Sequence, residues 1–204
     1  MKKVLVLVTV LAFVPANAYG VSLALTSGDS SSISIDTNTT GNITVDFDLA
    51  TDTSVDGYAT KLKASVAGVL TGTARTLNSP LNSPNTADGS LLPLAVGTAY
   101  SASDVGAAWN EVDTVDADAT VASWTFSYDT SGLAVGSTVV LAAGLQGFIP
   151  PTTTYDIPGG RWSYDGASSE MDGGTPLTIN ITPEPMSAML LLAAVPFLRR
   201  RRTV

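Results

Sequence analysis

The sequence predicts an all-β fold, an antiparallel β-sandwich, with a short apolar helix near each end of the chain. Apolar and polar residues alternate with a period of two, and turn-forming residues separate these stretches. Apolar residues make up 45% of the chain, enough to form a core. A length of 204 residues suits one domain with processing segments attached.

Three segments place apolar residues at every second position, so one face of each strand would enter a core. These positions are Ile43, Val45, Phe47 and Leu49; Ala122, Trp124, Phe126 and Tyr128; and Leu177, Ile179 and Ile181. Shorter stretches over 21–25 and 33–35 alternate in the same way. The nearly continuous apolar run over 139–145 predicts a central strand. The Gly- and Pro-rich stretch over 149–175 is expected to be an irregular loop.

The chain contains neither cysteine nor histidine. This excludes disulfide scaffolds, Cys/His metal sites, cysteine nucleophiles and every catalytic scheme that uses imidazole. A serine nucleophile would need a lysine base, and neither Lys61 nor Lys63 occurs in a Ser-x-x-Lys arrangement.

Charge is distributed unevenly along the chain. The region from Tyr19 to Glu184 contains all 18 acidic residues and 4 basic ones, a net charge of −14. Such a surface repels phosphate, which excludes nucleic-acid binding, and it attracts cations, calcium among them. The other 6 basic residues lie near the two ends.

The N-terminus has the pattern of a signal peptide. Lys2 and Lys3 precede an 11-residue apolar run over 4–14, which is too short to span a membrane. Pro15 follows, and Ala16 and Ala18 provide the small side chains that signal peptidase requires, so cleavage is expected after Ala18. The alternative is a buried N-terminal helix or strand.

The C-terminus combines three features in a fixed order: Pro183-Glu184-Pro185, a 13-residue apolar stretch over 186–198, and Arg199 to Arg202. As a helix, the stretch would be about 20 Å long, short of the roughly 30 Å of a bilayer core. Four arginines cannot cross the membrane with it, so Arg199, Arg200, Arg201 and Arg202 would stay in the cytoplasm while the acidic region faces outward.

These features resemble the PEP-CTERM sorting signal of bacterial exported proteins. The resemblance implies recognition of Pro183, Glu184 and Pro185 by an exosortase, in bacteria that make exopolysaccharide. It also implies a transient membrane anchor and delivery to the cell envelope, cell surface or extracellular matrix. The predicted segments are a signal peptide over 1–18, a sandwich over 19–182 and a sorting signal over 183–204. The alternative is an ordinary single-pass tail anchor.

The body of the chain is similar, more weakly, to cohesin-like sandwiches of the immunoglobulin type. The stretches over 41–49 and 57–62 look like their opening strands, and those over 122–128 and 136–141 look like their central pair. The resemblance implies a binding sandwich.

Acidic residues form two clusters that are candidates for chemistry. Asp46 and Asp48 are two residues apart on a predicted strand, so both face the same side, and a carboxylate pair serves a glycosidase or holds calcium. Asp52 and Asp56 follow closely, which makes Asp46, Asp48, Asp52 and Asp56 the candidate calcium ligands. Asp113, Asp116 and Asp118 form a second cluster without the glycine and glutamate of an EF-hand. The alternative for both is a solvated polar face.

Tyr155, Trp162 and Tyr164 lie in the Gly-rich stretch with Arg161 among them. Exposed aromatic rings stack on sugar rings, so these three are candidate ligand-binding residues, although aromatic residues in loops also cover the core. N-glycosylation sequons begin at Asn38, Asn42 and Asn180, and they matter only where a matching transferase is present.

Together, these observations predict a non-catalytic surface or matrix component. Its expected partners are signal peptidase and exosortase during export, and then polysaccharide or matrix proteins. No cofactor other than calcium is expected. The alternative is a small carboxylate-based enzyme acting on glycans, for which two acidic groups must converge in one pocket.

Overall fold

The computed structural model describes residues 20–78, 81, 94–100, 114–149 and 153–184, and all regular structure in these ranges is β-strand. The strands are β1 (Val21–Thr26), β2 (Ser32–Asp36), β3 (Thr40–Thr51), β4 (Gly57–Ala59), β5 (Lys61–Ala64), β6 (Leu70–Leu77), β7 (Leu94–Ala95), β8 (Ala119–Asp129), β9 (Thr138–Ile149), β10 (Thr153–Pro158), β11 (Arg161–Tyr164), β12 (Ala167–Glu170), β13 (Gly173–Thr175) and β14 (Leu177–Thr182). The predicted terminal helices over 4–14 and 186–198 lie outside these ranges.

The strands form three sheets. A six-stranded sheet has the order β13-β1-β3-β8-β6-β7, and a five-stranded sheet has the order β10-β9-β14-β2 with β5 also paired to β9. A small third sheet has the order β12-β11-β4. Two pairs, β1 with β13 and β14 with β2, are parallel, so the expectation of an antiparallel sandwich holds for the remaining pairs only.

The core lies between the two large sheets. Val45, Phe47 and Leu49 of β3 are almost completely buried, and Leu141 of β9 and Ile179 of β14 join them in one hydrophobic cluster. The predicted sandwich class and the alternation of buried and outward residues in β3, β8 and β14 are confirmed. The run over 139–145 lies in β9, which pairs with β5, β10 and β14 and is therefore central, as predicted.

The stretch over 149–175 is not the irregular loop that its glycines and prolines predict. It contains β10, β11, β12 and β13. Asp165 and Gly166 both have positive φ angles, 48° and 75°, and they connect Tyr164 to its cross-strand partner Ala167. A two-residue turn of this kind closes a tight hairpin, so an Asp-Gly pair marks a strand reversal here and not a loop.

The chain enters β1 at one end of the sandwich and leaves β14 at the opposite end. Val21, which begins β1, lies opposite Thr51 at the end of β3. Thr182, which ends β14, accepts a hydrogen bond from Thr37 N at 2.9 Å, just before β3 begins. Because β3 has 12 residues, these ends are separated by about 40 Å. We call the end that holds Thr182, the β2–β3 turn and the β8–β9 loop the tail end.

Hydroxyl groups fix the backbone at the tail end. Thr130, which is 1% exposed, donates to Asp36 O at 2.8 Å and accepts from Thr39 N at 2.9 Å. Thr37, also buried, donates to Leu133 O at 2.8 Å. Residues on both sides of the β2–β3 turn are therefore tied to the β8–β9 loop.

Gly160 occupies a position that excludes any side chain. Its φ angle is +115°, and a Cβ atom there would collide with Ala59 O and lie 3.1 Å from Thr60 Cβ. We expect Gly160→Ala to lower the free energy of unfolding by about 2–4 kcal/mol, because backbone strain and overpacking add. Urea denaturation of the purified protein measures this.

The matched control is Gly97→Ala. A Cβ atom at Gly97 would meet nothing within 4 Å, and its backbone lies outside the positive-φ region. The control should change the unfolding free energy by less than about 0.5 kcal/mol. Equal effects of the two substitutions would contradict the tight packing around Gly160.

Candidate functional site

Asp46 and Asp48 lie on the outward face of the six-stranded sheet. Ser123 Oγ donates to Asp46 Oδ1 at 2.6 Å, and Thr120 Oγ1 and Thr26 Oγ1 donate to the two oxygens of Asp48, each at 2.6 Å. The donors belong to the two strands that flank β3. Both carboxylates therefore act as acceptors that tie neighbouring strands together on an outer sheet face.

The predicted calcium group of Asp46, Asp48, Asp52 and Asp56 does not come together. Asp52 is exposed beyond the end of β3, whereas Asp56 is 8% exposed and faces the third sheet. In the described part of the chain, no three acidic side chains are grouped so that they could hold a metal ion. The physical reason is that the chain turns after β3 and carries Asp56 away from the sheet face on which Asp46 and Asp48 lie.

Asp56 has a structural role instead. It accepts a hydrogen bond from Ser163 Oγ at 2.8 Å and from Asp165 N at 2.7 Å, and its own N–H donates to Ser163 O at 3.0 Å. The carboxylate thus satisfies a buried hydroxyl and a turn N–H together, and fixes the β11–β12 hairpin to the segment before β4.

The second acidic cluster is only partly described, because Asp113 lies outside the described residues. Asp116 accepts from Thr114 Oγ1 at 3.1 Å, and Asp118 accepts from Thr51 N at 3.1 Å. Asp118 also lines an open groove of about 340 Å³ with Asp48. The structure therefore brings together one member of each predicted cluster, which strand pairing causes and sequence spacing could not indicate.

A bulge lies beside this groove. The register between β3 and β8 shifts between Phe47 and Asp48, which pair with Ala122 and Thr120. Val121 is the extra residue, and it is buried together with Ala122. Alternation along β8 is interrupted at this point, so the outward Thr120 still reaches Asp48.

The three candidate aromatic residues divide between two sheets, because Trp162 and Tyr164 lie in β11 of the third sheet and Tyr155 lies in β10 of the five-stranded sheet. Trp162 and Tyr164 share one face of β11, where Trp162 packs against the core and pairs with the buried Tyr58. Tyr164 is 45% exposed. Tyr155 lies instead across the backbone of Gly147, its cross-strand partner, and reaches Glu170. The predicted group of three is thus a pair plus a separate tyrosine.

Tyr155, Glu170 and Arg161 form a small polar cluster. Tyr155 Oη donates to Glu170 Oε1 at 2.7 Å, and Arg161 Nη2 lies 3.5 Å from the same oxygen. The hydrogen bond to the Glu170 carboxylate raises the pKa of Tyr155 above its ordinary value of 10.0, because ionisation would place a phenolate against that carboxylate.

Lys63, Asp156 and Tyr100 form a further polar cluster, which the sequence did not indicate. Lys63 Nζ lies 2.6 Å from Asp156 Oδ2 and 4.3 Å from the ring centroid of Tyr100. The hydrogen bond to Asp156 raises the pKa of Lys63 above 10.5. Tyr100 also lies against Gly144, where a Cβ atom would be 2.5 Å from its Oη. These residues are far apart in sequence. The one sequence signal for a contact here is Gly144, because a glycine in a strand leaves room for an aromatic ring such as that of Tyr100.

The sorting-motif and cleavage residues lie mostly outside the described residues. Pro183 and Glu184 directly follow β14, and Pro183 is exposed. Pro185, Arg199–Arg202, Ala16 and Ala18 are not among the described residues, so their predicted roles stay predictions. Over the described ranges, the structure contains no helix with the length and apolar character to cross a membrane.

The structure defines the chain as an all-β sandwich with outward carboxylates. It also has a β11–β12 hairpin that carries Trp162 and Tyr164, which we call the aromatic hairpin. No protein-family model and no curated protein matches its sequence. Among solved structures, it is similar to the sixth cohesin of Acetivibrio cellulolyticus scaffoldin B, in complex with a Cel5 dockerin. Their TM-score is 0.47 and their identity 10%, covering 79% of this chain and 99% of that chain.

Two further cohesins are similar at the same level. A type II cohesin domain from the Acetivibrio cellulolyticus cellulosome has a TM-score of 0.47 and 14% identity, covering 79% of this chain and 95% of that chain. A non-cellulosomal cohesin from Archaeoglobus fulgidus has a TM-score of 0.44 and 12% identity, covering 84% and 97%. The expected likeness to cohesin-like sandwiches is confirmed at the level of the fold.

A test of the Asp56 contacts compares Asp56→Ala with Asp52→Ala. We expect Asp56→Ala to lower the unfolding free energy by about 3 kcal/mol, because Ser163 Oγ and Asp165 N lose a charged acceptor. Asp52→Ala should cost less than about 0.5 kcal/mol, since Asp52 is exposed. Chemical denaturation of both variants decides, and a neutral Asp56→Ala would refute the structural role.

A second test follows the ionisation of Tyr155. Glu170→Gln should lower the pKa of Tyr155 toward 10.0, because the amide accepts the hydrogen bond without repelling a phenolate. Ring NMR signals recorded against pH report this. Asp165→Asn is the matched control, because Glu170 and Arg161, and not Asp165, shift the pKa of Tyr155, and asparagine tolerates the φ of 48° at this position. An unchanged Tyr155 titration in Glu170→Gln would contradict the contact.

Proposed function

We propose that this protein is an exported, non-catalytic β-sandwich that a C-terminal PEP-CTERM signal sorts to the cell surface or extracellular matrix. The observation that carries the proposal is where the described strands begin and end. β1 begins at Val21, three residues after the predicted cleavage at Ala18, and β14 ends at Thr182, directly before Pro183. Cleavage after Ala18 and processing of the tail after Thr182 would therefore leave all fourteen described strands in one product.

The contacts at these two strands support the same proposal. Val21 is fully buried, and Leu177, Ile179 and Ile181 of β14 are at most 2% exposed, so both strands belong to the core. Pro183 follows Thr182 at once and is exposed, as a processing enzyme requires of a recognition motif. The sandwich needs neither predicted address segment to complete its described sheets.

The non-catalytic role is supported by the state of the candidate catalytic pair. Asp46 and Asp48 lie on an outer sheet face and accept hydrogen bonds from three hydroxyl groups at 2.6 Å. A glycosidase needs two acidic groups that converge on one bound sugar, with one of them able to give up a proton. No observation among the described residues favours the enzyme alternative.

The partner that we propose for the mature protein is matrix polysaccharide, contacted through the third sheet. Tyr164 is 45% exposed on the same face as Trp162, and Ala167 and Ser169 on the neighbouring strand have small side chains. Aromatic faces bordered by small residues leave room for a sugar ring. The net charge of −14 between Tyr19 and Glu184 favours neutral or cationic polymers over anionic ones.

The decisive experiment replaces Pro183, Glu184 and Pro185 by alanine in the native bacterium. We expect export and leader removal to continue, while the C-terminal tail stays attached because the recognition motif is gone. Intact-mass measurement shows this as a mature product heavier by the mass of the tail. Glu170→Gln, outside the motif, serves as control and should give the normal processed mass. Equal masses for the motif variant and the parent would refute sorting through this motif.

A further inference from the structure

The three N-glycosylation sequons differ sharply in structure. Asn180 lies within β14, between β9 and β2, and its side-chain amide donates to Ser32 Oγ at 3.0 Å and to Ile33 O at 3.3 Å. That nitrogen is engaged inside a sheet. Asn42 is exposed but lies within β3, where it pairs with Ser127 of β8.

Asn38 alone lies in a turn. β2 ends at Asp36 and β3 begins at Thr40, so Asn38 is outside both strands and is exposed, as is Thr40. Its φ angle is 53°, in the left-handed region that asparagine tolerates. Within the described residues, its side-chain amide makes no hydrogen bond, so the nitrogen that would be modified is accessible.

The backbone conformation also differs between Asn38 and Asn42. A transferase must hold the acceptor amide and the hydroxyl of the residue two positions later in one site. In β3 the chain is extended, which keeps Asn42 and Thr44 about 6.6–6.8 Å apart along the strand. At Asn38 the chain is already bent, and its neighbours Thr37 and Thr39 are held mainly by contacts to Leu133 and Thr130 of the β8–β9 loop, with one backbone hydrogen bond from Thr37 to Thr182.

An acidic residue precedes this sequon and neither of the others. Asp36 stands two residues before Asn38, whereas Thr40 and Thr178 hold the corresponding positions before Asn42 and Asn180. Asp36 accepts a hydrogen bond from Thr182 Oγ1 at 2.9 Å, which fixes its carboxylate at the tail end. A fixed carboxylate gives a transferase a charged contact beside the acceptor.

The location of the turn adds an independent reason. Thr37, next to Asn38, donates to Thr182 O at 2.9 Å, so the turn lies where the chain leaves the sandwich toward Pro183. While the predicted sorting tail holds the protein at the membrane, Asn38 is at the membrane-facing end, where lipid-linked sugar donors are located. This step rests on the proposed function.

We propose that Asn38 is the acceptor of an N-linked oligosaccharide, added on the outer side of the membrane from a polyprenyl-diphosphate-linked donor. The side-chain nitrogen of Asn38 attacks the anomeric carbon of the donor, forming a C–N bond. The bond between that carbon and the diphosphate oxygen breaks, and the polyprenyl diphosphate leaves with the electron pair. A base of the transferase takes the amide proton, and nothing is oxidised or reduced.

The test uses the purified full-length chain, a purified bacterial oligosaccharyltransferase, and a polyprenyl-diphosphate-linked oligosaccharide of known mass. We expect one added oligosaccharide by intact mass, and peptide mapping should place it on Asn38. Asn38→Gly should abolish the addition without straining the turn, because glycine suits a φ of 53°. Asn42→Gln and Asn180→Gln are matched controls and should be modified as the parent is.

Asp36→Asn tests the charged contact separately. It keeps an oxygen that can accept from Thr182 Oγ1 and removes only the negative charge. We expect the initial rate of addition to fall about tenfold, because a charge-assisted contact becomes a neutral one. An unchanged rate would overturn the role of Asp36.

Addition at Asn42 or Asn180, or no addition to the folded parent chain, would overturn the proposal for Asn38. The reaction in solution needs neither export nor tail processing, so its outcome is independent of the sorting-motif experiment. A chain that is modified at Asn38 in solution but keeps its tail in the native bacterium would refute the proposed sorting alone. Intact mass of the exported native protein then shows whether the oligosaccharide is present in the cell.

Discussion

Pairing of β3 with β8 is the constraint on which the rest of the sandwich depends. Each strand buries alternate residues, so their register decides which side chains enter the core. Val45 pairs with Trp124 and Phe47 with Ala122, and all four are buried. A slip of one residue would move Phe47 to the solvent side and Asp48 into the core, at a cost that no compensating contact could offset.

The outward face of the same strands shows how the described acidic residues are used in the fold. Asp46 and Asp48 have hydroxyl-bearing neighbours on the adjacent strands, and these donors satisfy the carboxylates where they stand. Asp56 is used in the same way for a turn of the third sheet. Acidic residues that look like a ligand set in sequence are thus distributed over separate structural tasks.

The tail end links the fold to the proposed sorting and modification. Thr182 contacts both Asp36 and Thr37, so the last strand, the β2–β3 turn and the exit of the chain form one unit. The aromatic hairpin belongs to a different sheet and meets the segment before β4 through Asp56. The proposed partner surface and the proposed processing segment therefore lie on separate parts of the sandwich.

The sequence by itself determined the sandwich class, the central position of β9 and the buried faces of β3, β8 and β14, because period-two burial is a local property that each strand carries. It did not reveal β10 to β13. The glycine content of this stretch predicts a loop, whereas the positive φ angles of Asp165 and Gly166 allow a tight hairpin. Only the tertiary structure separated Tyr155 from Trp162 and joined Asp48 to the groove of Asp118. Such contacts depend on which distant strands pair, and pairing is decided by the energy of the whole core.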